Sequence, residues 1–247
     1  MVIRRKVSES PEYRRKSSVA KQVRLPLFDL VRNHPRILIT MIVISGVPAI
    51  LNYLVLSYSI AFGTGFVGYS RDQMLLFGVV ISGSTFFIYP FLALVVDRVG
   101  PRRVLIGSAL LQIVAVFVFF AGFTTGNYGL AVLCGVFAIV PIGLAGSAMP
   151  AAFSDVFATE IRYTGISLTY QIGAAVCGGL APLIATLLYA RTGTSAAVGV
   201  YVGVAALVML IATLVKWPRA TSTVAAAEPA DGAGPATDET TISPGRS

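Results

Sequence analysis

The chain has 247 residues, 55% of them apolar and only 12% charged, with a formal net charge of +8. The charged fraction is about half that of an ordinary soluble domain, which excludes a soluble enzyme, and the apolar excess excludes disorder over most of the length. The basicity is local rather than general: residues 1–36 hold ten Lys/Arg against three acids, 37–216 seven against four, and 217–247 two against four. No nucleic-acid partner is implied by such a distribution. Cys134 and Cys177 both lie inside apolar runs, which offers neither a disulfide framework nor a zinc site.

Residues 1–36 read as a basic cytoplasmic arm or linker. Arg4-Arg5-Lys6 and Arg14-Arg15-Lys16 precede a short amphipathic element over 25–31 that ends at His34-Pro35. Such an arm is either a solvated segment that satisfies the positive-inside rule or a contact with anionic headgroups. His34 reads as an interfacial residue rather than a titrating switch.

The long uncharged stretches are 37–70, 73–96, 104–154, 163–190 and 192–215, and a membrane-crossing helix needs about 20 apolar residues. The third stretch is long enough for two crossings and is divided by Thr124-Thr125-Gly126-Asn127, a turn signal. Six transmembrane helices are expected, over 37–62, 73–96, 104–123, 128–153, 164–189 and 195–216. The fold class is therefore all-α, a polytopic membrane protein with a six-helix domain over 37–216. Trp217-Pro218 closes the last helix at the interface, and 217–247 is expected to be a disordered cytoplasmic tail. The first hydrophobic segment starts too far from Met1, and is too long, for a cleaved signal peptide. A cytoplasmic N-terminus places 17 of the 19 basic residues inside and leaves only Arg71 and Arg191 outside, so both termini are expected in the cytoplasm.

Gly63-Thr64-Gly65-Phe66-Val67-Gly68 matches the spacing of a dinucleotide-binding fingerprint, but no strand precedes it and no acid follows at the required distance. It is expected to be a loop after the first helix. No pattern for a nucleotide hydrolase, an esterase or a zinc protease occurs. All four acids of the membrane region, Asp72, Asp97, Asp155 and Glu160, fall at helix ends, and no Lys, Arg or His lies mid-span.

The polar residues left mid-helix are Asn52, Tyr53, Tyr58, Gln112, Tyr170 and Gln171. In lipid such side chains need a partner, so each either contacts a solute or forms an interhelical hydrogen bond. Pro48, Pro90, Pro141, Pro150 and Pro182 either kink helices around a cavity or are simply tolerated. Gly173, Gly178 and Gly179 on the fifth helix and Gly199 and Gly203 on the sixth permit close backbone approach, for internal packing or for a homodimer. Arg98-Val99-Gly100 and Arg191-Thr192-Gly193 echo each other after the second and fifth helices, as an inverted repeat would have it.

Asp97-Arg98-Val99-Gly100-Pro101-Arg102-Arg103 resembles the G-x-x-x-D-R-x-G-R-R loop of the major facilitator superfamily, with Ala93 at the first glycine and Pro101 at the first arginine of the pair. The resemblance implies a conformational gate built from Asp97, Arg98, Gly100, Arg102 and Arg103, in which Asp97 faces a helix N-terminus of the opposite half. Asp155 to Gly173, continuing through Gly178-Gly179-Leu180-Ala181-Pro182, is similar to the fourth loop and fifth helix of the C-terminal half of the metabolite:proton symporter family. Ala158 and Glu160 depart from that family's proline and first arginine, and Asp155 and Arg162 join the implied gate. Ser8-Glu9-Ser10-Pro11 resembles its E-S-P signature. Asn52-Tyr53 and Tyr170-Gln171 resemble its Asn/Tyr and Tyr-Gln pairs.

The resemblance covers residues 4 to 216 and implies helices seven to twelve of a twelve-helix transporter in the inner cell membrane. The function it implies is half of a proton-coupled symporter for a small organic solute, an organic acid or an osmolyte, with no cofactor beyond the proton gradient. The coupling carboxylate would then come from the other half. The implied partners are the lipid bilayer, the solute, and either a separate N-terminal half or a second copy. A truncated product without transport activity and a homodimeric six-helix channel or scaffold remain the alternative readings.

Overall fold

A computed structural model describes the backbone of residues 35–154 and 162–215 and the side chains of residues 38–153 and 165–215. The basic arm with His34, the loop residues Asp155 and Glu160, Trp217-Pro218 and the tail lie outside the described residues; Arg162 opens a helix, but its side chain also lies outside them.

The chain is a multi-pass membrane protein. Six helices are long and apolar enough to cross a bilayer: Leu38–Val67, Arg71–Val99, Pro101–Phe123, Tyr128–Phe153, Gly165–Thr192 and Ala196–Val215, here the first to sixth spans. No strand occurs among the described residues.

The junctions between spans follow from a few residues. Gly63–Val67 is not the expected loop: it continues the first span as a π turn, and the chain leaves the helix only at Gly68, at φ 90°. Gly68 N–H and Tyr69 N–H both donate to the Gly63 carbonyl at 3.0 Å, so helix-end carbonyls are satisfied by a left-handed glycine cap. Ser70 then opens the second span with a capping box: its side chain accepts from Gln73 N–H, and Gln73 Oε1 accepts from Ser70 N–H. Asp72 in the first turn and Arg98 in the last suit the two ends of the helix dipole. Between the third and fourth spans Gly126 takes φ 75° and Asn127 Oδ1 accepts from Leu130 N–H at 3.2 Å, so the turn falls where Gly126-Asn127 signals it. Gly193, at φ 68°, ends the fifth span.

The first span is the axis of the bundle. Of its most apolar stretch 72% is buried, against 11% for the second span and 22% for the fifth, so the latter two present most of their surface outward. The first span packs on the third, fourth, fifth and sixth, and the second packs mainly on the fourth. Two apolar cores result. One, at the end carrying Gly68, Gly126 and Gly193, is aromatic: Phe62, Phe77, Phe119 and Phe123 are fully buried, with ring centroids 5.2–6.5 Å apart across neighbouring pairs. Tyr69, in the connection outside the spans, seals it by donating its hydroxyl to the Phe123 carbonyl at 3.0 Å. Burial pushes that phenol above its ordinary value. The other core, near the Gly100 turn, is aliphatic and includes Met41, Ile44, Leu105, Met149 and Met209.

Close backbone approach between the first and fifth spans rests on glycine. A Cβ on Gly46 would lie 2.6 Å from Cys177 Sγ, and one on Gly178 would lie 2.8 Å from the Tyr53 ring. On Gly173 it would meet Ser45 Oγ and, at 2.9 Å, the backbone nitrogen of Gly46. Gly173 and Gly178 of the fifth span thus serve packing within the chain, and Gly199 likewise seats Phe117 of the third span, 2.7 Å from where its Cβ would be. Across the first contact Ser45 Oγ donates to the Thr169 carbonyl at 3.2 Å, sharing its proton with the Ile42 carbonyl, a bond worth about 0.6 kcal/mol in a membrane interior. Gly173→Val places side-chain atoms against backbone that has no room to yield. A loss of about 1–3 kcal/mol is expected, read as a lower thermal midpoint in detergent, whereas Gly179→Ala, facing open space, leaves the midpoint in place.

Candidate functional site

Helical spacing puts Ser45, Pro48, Ala49, Asn52 and Leu56 on one stripe of the first span. Where this stripe meets the second, fourth and fifth spans lies a small cavity of about 80 Å³, lined by Ser45, Pro48, Ala49, Asn52, Tyr89, Ile142, Gly146, Met149 and Tyr170. Asn52 also belongs to a wider groove of about 530 Å³ that runs along the first span past Tyr53, Leu56, Ser57, Ile60 and Ala61. Cavity and groove meet at Asn52, between the aromatic and aliphatic cores.

The sequence-expected polar residues separate into two groups. Asn52, Tyr53 and Tyr170 share the cavity and groove, with Tyr53 and Tyr170 41% and 48% exposed. Gln171 is exposed beside Tyr170 but lines neither space. Gln112 sits apart from them, fully buried where the third, fourth and sixth spans meet. Its Nε2 donates to Ser108 Oγ at 3.2 Å and toward Met209 Sδ at 3.9 Å, while Ser108 Oγ donates to the Pro141 carbonyl at 2.8 Å. The Gln112–Ser108 bond lies within the third span, and the Ser108 bond to the Pro141 carbonyl is the interhelical one, tying the pair to the fourth span. Tyr58 is also apart: its ring stacks on Phe62 at 5.4 Å and meets Phe120 edge-on in the aromatic core.

Two features escape inspection of mid-helix polar residues. Tyr89 is the second span's contribution to the cavity, hidden in sequence within Phe86-Phe87-Ile88-Tyr89-Pro90. The signal that finds it is periodicity: Phe77, Ile81, Tyr89 and Val96 fall on the inward stripe of an otherwise outward-facing helix. The other is a pair of π turns, Leu54–Tyr58 and Ala174–Gly178, one in each of the two closely packed spans, the first directly after Asn52-Tyr53 and the second two residues after Tyr170-Gln171. π turns interrupt the regular ladder and recur at functional sites.

At the far end of the bundle, Gly100 links the second and third spans at φ 91° and ψ 148°, a conformation open to glycine, and Pro101 occupies the first position of the next helix. Asp97, Arg98 and Arg103 are exposed. Arg102 Nη2 donates to the Leu214 carbonyl at 2.9 Å, placing a cation at the C-terminus of the sixth span, where the helix dipole favours it. Asp155 lies outside the described residues. All the described charges, Arg71, Asp72, Asp97, Arg98, Arg102, Arg103 and Arg191, stand at span ends, so the cavity wall is polar and uncharged.

A family model described as the Major Facilitator Superfamily matches residues 37–241. The chain belongs to the Major Facilitator Superfamily. Within it, the chain is 30% identical over 222 residues to the inner membrane metabolite transport protein YhjE of Escherichia coli, covering 87% of this chain and 50% of that protein. It is 28% identical over 221 residues to the citrate-proton symporter of Klebsiella pneumoniae, covering 88% and 49%, and 26% identical over 192 residues to the shikimate transporter of E. coli, covering 75% and 43%. The chain thus spans about half the length of these curated relatives. No solved structure matches it. These relatives of the major facilitator chain are transporters rather than enzymes.

Arg102→Ala removes the cation from the end of the sixth span. It is expected to cost about 0.3–1 kcal/mol and lower the thermal midpoint in detergent by a few degrees, while Arg103→Ala leaves the midpoint within error.

Proposed function

We propose that these six helices are one bundle of a two-bundle secondary transporter that carries a small organic solute, an organic acid or an osmolyte, together with a proton. The observation that carries the reading is the neutral polar cavity at Asn52, opening into the groove between the two cores. A solute site in such a transporter forms at the interface of two bundles near mid-membrane. Asn52, Tyr53 and Tyr170 contribute this bundle's side of that site, with Gln171 at its margin.

The Asp97-Arg98-Val99-Gly100-Pro101-Arg102-Arg103 turn works as the gate on the cytoplasmic face, with both termini on that side. Asp97, Arg98 and Arg103 meet the second bundle there when the path is closed, and Asp155 and Arg162 join them. Arg102 holds the turn to the sixth span. Proton coupling requires an ionisable group within the membrane, and the described mid-span residues of this bundle are uncharged. The coupling carboxylate therefore belongs to the second bundle, and the source of energy is the proton gradient.

Uptake of radiolabelled citrate, shikimate and proline into cells that express the chain with the second bundle tests the reading. Uptake of at least one, abolished by a protonophore, is expected. Asn52→Ala should raise KM about tenfold through loss of a hydrogen-bonding contact to the solute, and Asp97→Asn should change the maximal rate while leaving KM in place. Uptake of all three that is absent, or indifferent to the proton gradient, contradicts it.

A further inference from the structure

One polar side chain of the cavity, that of Tyr89, depends on the absence of a side chain elsewhere. Tyr89 of the second span reaches the cavity across the fourth span at Gly143. A Cβ on Gly143 would lie 2.7 Å from Tyr89 Cε1, 2.9 Å from Tyr89 Cδ1 and 2.6 Å from Leu92 Cδ1, closer than carbon atoms approach in a packed interior. Gly143 is buried, and it stands one turn before Gly146 and two residues after Pro141. The ring has two torsions and is followed by Pro90, so it has little means of yielding except by rotation away from the fourth span. That direction is the cavity beside Asn52 and Tyr170, which the displaced ring would enter.

We propose that Gly143 is a positioning residue that seats the Tyr89 ring, and that Tyr89 so held is a specificity-determining contact for the uncharged part of the solute. The proposal rests on the transport reading above and deepens it. The wall formed by Asn52, Tyr89, Tyr170, Ser45 and Met149 holds amide, hydroxyl, thioether and ring groups and no cation. Ser45 spends its proton on the Ile42 and Thr169 carbonyls and so offers a solute only an acceptor. A carboxylate finds no counter-charge on this wall. A hydroxyl, an amine or an apolar ring finds donors, acceptors and π faces, and Tyr89 brings a hydroxyl and a ring face from the second span. This bundle therefore reads the neutral end of the solute, and its charge is met from the facing bundle.

Two arms test this, one of them independent of any solute. In the first, KM for radiolabelled citrate, shikimate or proline is measured in the full transporter. Gly143→Ala and Tyr89→Ala are each expected to raise KM about tenfold, as misplacement of a positioning group does, with maximal rate and membrane abundance within about twofold of the parent. Gly107→Ala, whose Cβ meets open space on the third span, controls for the change of glycine to alanine in a helix. In the second arm Tyr170→Cys is placed in a background carrying Cys134→Ala and Cys177→Ala, and its rate of labelling by a membrane-impermeant thiol reagent is followed. Adding Gly143→Ala should slow labelling about tenfold, because a close-packed cavity leaves a reagent no room. Adding Tyr89→Ser to that variant should restore it, which general misfolding would not. An unchanged labelling rate on Gly143→Ala, or a KM indifferent to both substitutions, overturns the proposal. Absence of uptake for all three probes with the labelling pattern intact would instead overturn the transport reading and leave the seating of Tyr89 standing.

Discussion

The contact on which the bundle depends is the approach of the first and fifth spans at Gly46, Gly173 and Gly178. In a membrane the hydrophobic effect does not draw helices together, so association relies on close packing and on hydrogen bonds between helices. Glycine supplies the closeness here, and the Ser45 hydroxyl on the Thr169 carbonyl supplies the bond. With the fifth span held against it on one flank and the fourth and sixth on others, the first span has a single stripe left uncovered. That stripe carries Asn52, Tyr53 and Ser57.

The cavity follows from the same constraint. Tyr170 reaches it only because Gly173, one turn further along, lets the fifth span lie close, and Tyr89 reaches it only because Gly143 leaves a seat on the fourth span. Above and below, the aromatic and aliphatic cores close the bundle, and between them Ser108 bonds across to the Pro141 carbonyl while Asn52, Tyr89 and Tyr170 line the cavity. The arrangement separates two tasks. The third and sixth spans hold the structure together through buried bonds and through the Arg102 contact at Leu214, while the first, second, fourth and fifth line the cavity.

Much of this architecture is legible in the sequence. Uncharged stretches of sufficient length yield the six spans, Gly126-Asn127 divides the one double-length stretch, and Asp97 to Arg103 marks the family. The Gly63 to Gly68 segment misled because glycine reads as loop when the sequence is followed residue by residue, although only Gly68 takes a left-handed conformation. Among the polar residues, chemistry alone left Asn52 and Gln112 equivalent, since each needs a partner in lipid. What separates them is the neighbour across the interface, Met209 of the sixth span for Gln112 and open space for Asn52, and no spacing within one helix encodes that. Tyr89 was hidden for the opposite reason, a polar tip within an aromatic run whose inward phase shows only when the whole second span is read at helical period.

The orientation of the first span is the point on which everything else turns. Single cysteines placed along it, in a background without Cys134 and Cys177, measure that orientation directly through reaction with a membrane-impermeant thiol reagent in native membranes. The account predicts labelling at Asn52, Tyr53, Ser57 and Ala61, which line the groove, and protection at Leu51, Leu54, Val55 and Tyr58, which are buried. Labelling of the second set with protection of the first, or a uniform response along the helix, would contradict it.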